Sequence, residues 1–256
     1  MRFNEVVRLE IREHIAYVYF EEKDARNTFT PRLICGIKSA FEYINESDAK
    51  VAIVQGYDTF FCCGGTKESL VALYTGIKSG EPTSFTDGHF FDTFLQCRIP
   101  IIAAMQGHAL GGGFAFSLFA DVLVMGEQSI FSGNYMRYGF TPGMGATLIV
   151  PYKMGKMLGW EMLYTAKNYF GFELKERGVD AIVVKRSEVV KRAEEIARNI
   201  AEKPLKSIIQ LKNNTVEQLR NALPDVVKKE VKMHKITFQQ EEVYQNIKKM
   251  YLDEMK

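Results

Sequence analysis

Residues 99–116, Ile-Pro-Ile-Ile-Ala-Ala-Met-Gln-Gly-His-Ala-Leu-Gly-Gly-Gly-Phe-Ala-Phe, restrict the possible folds of this chain more than any other stretch. The run Ile101–Met105 is apolar on both faces, the pattern of a strand covered on both sides. A turn follows, and Gly111, Gly112 and Gly113 open a helix. Glycine carries no Cβ, so a ligand can approach the backbone closely. The N–H groups of a helix's first turn have no intrahelical acceptor and sit at the positive end of its dipole, which favours negative charge. Taken alone, the three glycines fit equally a turn needed only for close packing. A second stretch separates the two readings. Val51–Val54 runs into Cys63, Gly64 and Gly65, so strand, turn and helix occur twice. Two such turns can converge on one oxygen as an oxyanion hole, in which losing a donor costs about 100- to 1000-fold in rate.

The rest of the chain supplies a setting for these turns. With 256 residues, 46% of them hydrophobic and 25% charged, a large core in one soluble globular unit is expected. A formal net charge of +2 gives no reason to invoke nucleic acid or a membrane surface. No apolar run is long enough to span a bilayer, and the first residues lack the apolar core of a signal peptide. Cys35, Cys62, Cys63 and Cys97 show no Cys-x-x-Cys spacing, so reduced thiols in a cytoplasmic protein are expected. His14, His89, His108 and His234 are scattered singly, and no metal site is expected.

Val6–Ile11 and Ile15–Phe20 read as a hairpin. Thr30-Pro31 opens a helix, Thr as N-cap and Pro at the first helical position, with Leu33, Ile37, Phe41 and Ile44 as its buried stripe. A helix is expected over Lys67–Tyr74, then a loop over 76–86 as a candidate lid, then a helix over Asp87–Gln96. Asp121–Gly126 and Ala181–Val184 read as strands, 127–146 as turn-rich, and 147–178 as mostly helical. Everything after Pro204 reads as helix with a break at Leu223-Pro224. No repeat at a fixed spacing is apparent. The alternation predicts an α/β core over 1–203, and the helical tail, 204–256, predicts a smaller region packed on the core or on a neighbour.

At this point the sequence closely resembles the crotonase (enoyl-CoA hydratase/isomerase) superfamily along its whole length. The resemblance rests on Phe61-Cys62-Cys63-Gly64-Gly65, on Pro100–Phe114, on Ala120-Asp121 and on Gly139-Phe140-Thr141-Pro142-Gly143-Met144-Gly145. It implies a spiral of ββα units with a C-terminal helical trimerisation region, and an oxyanion hole from the N–H groups of Gly65 and Gly112 around a thioester carbonyl. The family's hydratases also use two glutamates, whose positions fall at Ala115 and Tyr135 here. Neither residue can act as a general base on water near neutral pH. The hole is kept and the bases are gone, which suits a reaction whose substrate supplies its own electrons.

A narrower resemblance, through Gly56–Thr66, Met105–His108, Phe119–Asp121, Met136–Ala146 and Met233-His234, is to the decarboxylases of polyketide β-branching cassettes. It implies decarboxylation of a 3-methylglutaconyl thioester on an acyl carrier protein to a methylcrotonyl thioester, with a loop lysine and a C-terminal histidine at the substrate. Lys78, one helical turn after Tyr74, is the expected lysine, with Lys67 as competitor. His234 shares a helix face over Asp225–Lys249 with Val227, Val231 and Phe238 and is the expected proton donor. Asn27, Cys63, Gly64 and Gly111 are expected along the substrate or its pantetheine arm. His108 is expected to pack against the glycine turn, and Cys62 and Cys63 to act as small fillers. No cofactor is expected, since phosphopantetheine carries the substrate. Lys185, Arg186, Lys191, Arg192 and Arg198, or Lys228, Lys229, Lys232 and Lys235, are candidate patches for an acidic carrier. The resemblance further implies a homotrimer or hexamer. Two other readings remain open: a CoA-thioester hydratase or isomerase, and a non-catalytic carrier-binding protein.

Overall fold

The structure, a computed structural model, describes residues 1, 3–80 and 90–253. Its strands are β1 (Val7–Arg12), β2 (Ile15–Phe20), β3 (Val51–Gln55), β4 (Phe60–Cys62), β5 (Ile101–Met105), β6 (His108–Leu110), β7 (Val122–Gly126), β8 (Ile130–Ser132), β9 (Tyr169–Phe170) and β10 (Ile182–Val184). Its helices are α1 (Pro31–Glu46), α2 (Lys67–Ser79), α3 (Thr93–Gln96), α4 (Gly112–Leu118), α5 (Ala146–Met154), α6 (Lys156–Thr165), α7 (Gly171–Glu176), α8 (Val189–Ala201), α9 (Leu205–Thr237) and α10 (Glu241–Asp253).

One sheet runs β1-β2-β3-β5-β7-β10 and a smaller one β4-β6-β8-β9. Each of β3, β5 and β7 hands the chain to β4, β6 and β8, and a helix then returns it: α2, α4 and α5. These are three turns of a ββα spiral, parallel within each sheet from β3 to β7 and from β4 to β8. Connections of unequal length hide the repeat in the sequence. Every residue of β3 and β5 is buried. Alternate positions explain this: Ala52, Val54, Ile101, Ala103 and Met105 join the main core. Ile53, Ile102 and Ala104 pack with Val189, Ala193 and Ala197 of α8 on the opposite face. Two covered faces require the continuous apolar runs seen in the sequence.

Local signals held where local chemistry decides. Thr30 caps α1 by accepting from the Leu33 N–H at 3.1 Å, with Pro31 at the first position. The β1–β2 turn uses Glu13 and His14 with φ of 52° and 61°, the left-handed pair suited to a two-residue hairpin. Three expectations need correction. α2 continues to Ser79, because Leu70, Leu73, Tyr74 and Ile77 extend its buried stripe and Gly80 (φ +78°) closes it. Of the expected loop 76–86, residues 76–79 are therefore helical, and 81–86 lie outside the described residues. Of the expected helix Asp87–Gln96, 87–89 lie outside them too, and only α3 is helical. Finally, α9 runs through Pro224, which is exposed, so the missing N–H falls on the solvent side; the break comes at Phe238–Gln240.

The tail packs on its own core. Leu219, Leu223, Phe238, Val243 and Ile247 belong to the main hydrophobic cluster. One of its buried polar anchors is Lys212, whose Nζ lies 2.6 Å from Asp121 Oδ2 and 3.1 Å from the Phe94 carbonyl. Asp121 Oδ2 also accepts from the Ile101 N–H at 2.7 Å, so the pair ties α9 to the first residue of β5. The Lys212 side chain is 1% exposed and that of Asp121 17%. Removing one partner of a buried pair strands the other, at about 3–5 kcal/mol. Lys212→Met is expected to lower unfolding free energy in urea by that order. Lys228→Ala, at an exposed pair with Asp225, is expected to stay within about 0.5 kcal/mol of the parent.

Candidate active site

The two glycine turns lie against each other, backbone on backbone. Gly64 has φ +78°, and a Cβ there would stand 3.0 Å from the Gly112 nitrogen and 3.2 Å from that of Gly113. A Cβ on Gly113 would come within 2.2 Å of the Cys62 carbonyl oxygen. No side chain fits between these turns, so the glycines are required by contact and not only by conformation. Gly111 (φ 52°, ψ −124°) precedes α4, and its N–H donates to the Ser132 carbonyl at 2.8 Å. Gly112 and Gly113 then form the first turn of α4, where amides lack intrahelical acceptors. Gly65 precedes Thr66, the N-cap of α2. The two expected oxyanion donors thus belong to the openings of two adjoining helices. Phe29 and Met144 wall the Gly112 turn at 3.1 and 3.0 Å from where its Cβ would lie. Phe29 in turn packs edge-on against Phe90 and Phe116.

Ala115 and Tyr135, at the positions expected for the hydratases' glutamates, lie buried in α4 and in the 3₁₀ turn Asn134–Tyr138. Burial pushes the Tyr135 phenol well above its ordinary value, so it stays protonated. Burial likewise pushes the Cys62 thiol far up, which fits the filler reading and removes it as a nucleophile. One carboxylate nearby was not anticipated: Glu230, 1% exposed on α9. It accepts from the Gly145 and Thr147 N–H groups at 2.7 and 2.9 Å and from the Thr147 hydroxyl at 2.6 Å. It serves as the N-terminal cap of α5 supplied from another helix. Burial raises its pKa against those three bonds. The sequence signal was the spacing Leu223, Glu230, His234, which places Glu230 on the buried face of α9.

His234 is 4% exposed. Its ring lies edge-on to Phe140 and Phe238. It also covers Gly143, where a Cβ would fall 2.3 Å from its Cε1. Nε2 is 2.9 Å from the Thr141 carbonyl oxygen, so that nitrogen carries the hydrogen. Burial lowers the pKa of the ring, while the Thr141 and Pro142 carbonyls pull the other way by favouring the protonated form.

Tyr74 and Lys78 lie one turn apart on α2, the Lys78 ammonium 5.6 Å from the Tyr74 ring centre. Tyr74 donates its hydroxyl to Glu241 at 2.9 Å, which holds that carboxyl below its usual range, and stacks on Tyr244 at 4.9 Å. Lys78 corrects the expectation of a loop lysine: it is exposed, in the last turn of a helix. Lys67 opens α2, half-buried, directly after the Gly64-Gly65 turn. Asn27 is also corrected. Its amide donates to the Phe20 and Phe61 carbonyls, both at 3.0 Å, and its oxygen accepts from the Glu22 N–H at 2.8 Å. That fully buried side chain ties β2 to β4 and has no donor left for a pantetheine arm. It does align Thr28 and Phe29 beside Gly64, whose carbonyl accepts from the Phe29 N–H at 2.7 Å. His108 sits in β6, edge-on to Phe60 and accepting through Nδ1 from the Ile130 N–H. Of the basic candidates, Arg192 and Arg198 pair with Glu195 and Glu194 on their own helix. Lys229, Lys232 and Lys235 are exposed on the final turns of α9.

Comparison with known proteins gives a consistent result. A family model described as enoyl-CoA hydratase/isomerase matches residues 10–256. The chain is 43% identical over 252 residues to the bacillaene synthase decarboxylase PksI of Bacillus subtilis, spanning 98% of this chain and 99% of that one. Among solved structures, a chain of a dehydratase/decarboxylase enzyme couple involved in polyketide β-branching superposes with TM-score 0.92, at 43% identity and 96% coverage of both chains. The ECH2 decarboxylase domain of CurF from Lyngbya majuscula superposes with TM-score 0.89 at 34% identity, over 96% of this chain and all of that one.

The lowered pKa of His234 sets a pH dependence. The unfolded ring takes up a proton near pH 6.5, and the folded one only at lower pH. Between those values the unfolded state binds more protons, so stability falls as pH drops below about 6.5. His234→Gln, which keeps a donor for Thr141, is expected to flatten this part of the profile of melting temperature against pH, measured by circular dichroism.

Proposed function

The chain belongs to the enoyl-CoA hydratase/isomerase family, and we propose that within it this protein is a decarboxylase of polyketide β-branching. Its substrate is a 3-methylglutaconyl-type thioester carried on the phosphopantetheine of an acyl carrier protein. The observation that carries the reading is the pairing of two abutting glycine turns with a site whose hydratase carboxylate positions hold Ala115 and a buried, protonated Tyr135. Donors for a developing oxyanion remain, and bases for activating water do not. The full-length similarity to proteins described as decarboxylases supports the same choice.

In this mechanism the N–H groups of Gly65 and Gly112 hold the thioester oxygen. The C–C bond to the carboxylate breaks, carbon dioxide leaves, and the electron pair spreads through the double bond onto that oxygen as a dienolate. Preorganised amide donors stabilise charge where it develops. His234 supplies the proton that quenches the dienolate, and the Thr141 and Pro142 carbonyls favour its charged form during the transfer. Lys78, supported by Tyr74, orients the departing carboxylate, with Lys67 the alternative at the start of α2. Gly64, Gly111 and Cys63 border the acyl and pantetheine path. No step passes through a metal or a cofactor.

The same reading brings a carrier-protein partner docked through exposed lysines of α9, a trimeric or hexameric assembly and a cytoplasmic location. Exposed Trp160, Tyr164, Phe170 and Phe172 on neighbouring elements support an assembly surface. No described helix is long and apolar enough to cross a membrane.

The test is mass spectrometry of 3-methylglutaconyl-loaded acyl carrier protein incubated with the enzyme. Loss of one carbon dioxide is expected, slowed by about 100-fold or more in His234→Ala. Lys78→Ala and Lys67→Ala, run in parallel, assign the lysine to whichever variant loses turnover. A gain of water would overturn decarboxylation in favour of hydratase chemistry, and an unchanged mass would favour a non-catalytic carrier-binding protein.

A further inference from the structure

Among the described residues, three buried side-chain polar atoms lack a hydrogen-bond partner, and one belongs to the site: the Tyr135 hydroxyl. The residue is 6% exposed. An unmet buried hydroxyl is unfavourable, so proteins rarely keep one without use for it. Phenylalanine would fill the same volume without that penalty.

Its surroundings define what it faces. Tyr135 lies within electrostatic reach of Cys62, the last residue of β4 before the Gly64-Gly65 turn, and of Glu230, one helical turn before His234. Its ring meets Phe140 edge-on at 6.2 Å, and Phe140 meets His234 at the same distance. Asn134, the residue before it, stands where a Cβ on Gly111 would fall, 2.7 Å from its Oδ1. The phenol thus neighbours Cys62 at the first glycine turn and is linked to His234 through Phe140 and Glu230, the two groups between which the proposed mechanism puts the acyl group being that turn and His234. Glu230 does not satisfy it: the hydroxyl has no partner, and the bonds of that carboxylate go to Gly145 and Thr147. A phenol held protonated is a hydrogen-bond donor there and not a base.

We propose that the Tyr135 hydroxyl is a specificity-determining donor, which recognises the free carboxylate of the substrate's acyl group. This inference rests on the decarboxylase reading for the identity of the acyl group. The thioester oxygen already has two amide donors, whereas a carboxylate brought into a buried site requires donors of its own. The bond exists before carbon dioxide leaves and is lost with it, so Tyr135 favours the carboxylated thioester over its product. Product release is eased by the same difference.

Equilibrium binding tests this without turnover, using carrier protein loaded with saturated, unreactive acyl groups: 3-methylglutaryl, which has the carboxylate, and 3-methylbutyryl, which lacks it. Fluorescence anisotropy of the labelled carriers is expected to show Tyr135→Phe weakening the 3-methylglutaryl complex by about 10- to 100-fold, the range for a hydrogen bond to a charged group. The 3-methylbutyryl complex should be unchanged, and the melting temperature unchanged or higher. Equal affinities of wild type and Tyr135→Phe for both carriers, or equal weakening of both, would overturn the proposal. A wild type that prefers the carboxylated probe through Tyr135 yet releases no carbon dioxide would sink the reaction and leave the recognition standing.

Discussion

The structure depends on one close approach, the contact of the Cys62–Gly65 turn with the Gly111–Gly113 turn. It is a contact between main chains, with the Cys62 carbonyl and the Gly112 and Gly113 nitrogens at distances a single methyl group would violate. Side chains can adapt to a neighbour by changing rotamer, and main chains cannot. The register of β4 against β6 and the starts of α2 and α4 are fixed together by this contact. The rest of the spiral then holds two helix openings side by side, the arrangement that the proposed oxyanion hole requires.

The tail carries His234, the other half of the proposed site, and three polar anchors set its position. Lys212 grips Asp121 just before β7, Glu230 caps α5, and His234 bonds to Thr141. They lie on one helix face among apolar residues, so each is a buried polar group with its partner supplied by the core. An apolar stripe alone tolerates sliding along a helix groove, whereas three bonded polar groups do not. The Glu230 bond is the most consequential, because the segment it fixes, Gly145–Thr147, follows the Thr141–Gly143 loop against which the imidazole is packed. Glu230 thereby positions His234 from both sides, through the loop and through their shared helix.

What could be read from the sequence divides along the same line. The glycine turns, the Thr30-Pro31 cap and the doubly buried strands were legible because each is decided within a few residues. The burial of His234 was legible from helix periodicity and family motif together. Tertiary contacts decided the remainder. Asn27 was expected beside the pantetheine arm, and only the arrival of Phe61 from β4 engages its amide fully. Lys78 looked like a loop lysine because Gly76 and Gly80 flank it, but Tyr74 and Ile77 pack well enough to carry the helix past the first glycine. Pro224 looked like a break, and its exposed position let α9 continue. Glu230 was hidden among lysines and glutamates of an amphipathic helix, and its importance lies in a partner 85 residues earlier.

Burial pushes the site's own groups toward neutrality: the Tyr135 phenol and Cys62 thiol are raised, and the His234 imidazole is lowered. The buried carboxylate, Glu230, is matched to the amides of a helix N-terminus. A localised substrate carboxylate is poorly solvated in such a place, and a dienolate spread from carbon to a thioester oxygen between amide donors is better served. The difference between those two states is what lowers a barrier, since only interactions stronger in the transition state accelerate chemistry. In a hydratase the same burial would work against the reaction, because a general base must ionise beside the substrate. Ala115 and Tyr135 at the two expected carboxylate positions therefore do more than omit a function: they leave a neutral pocket, consistent with charge moving from the substrate's carboxylate onto its thioester oxygen.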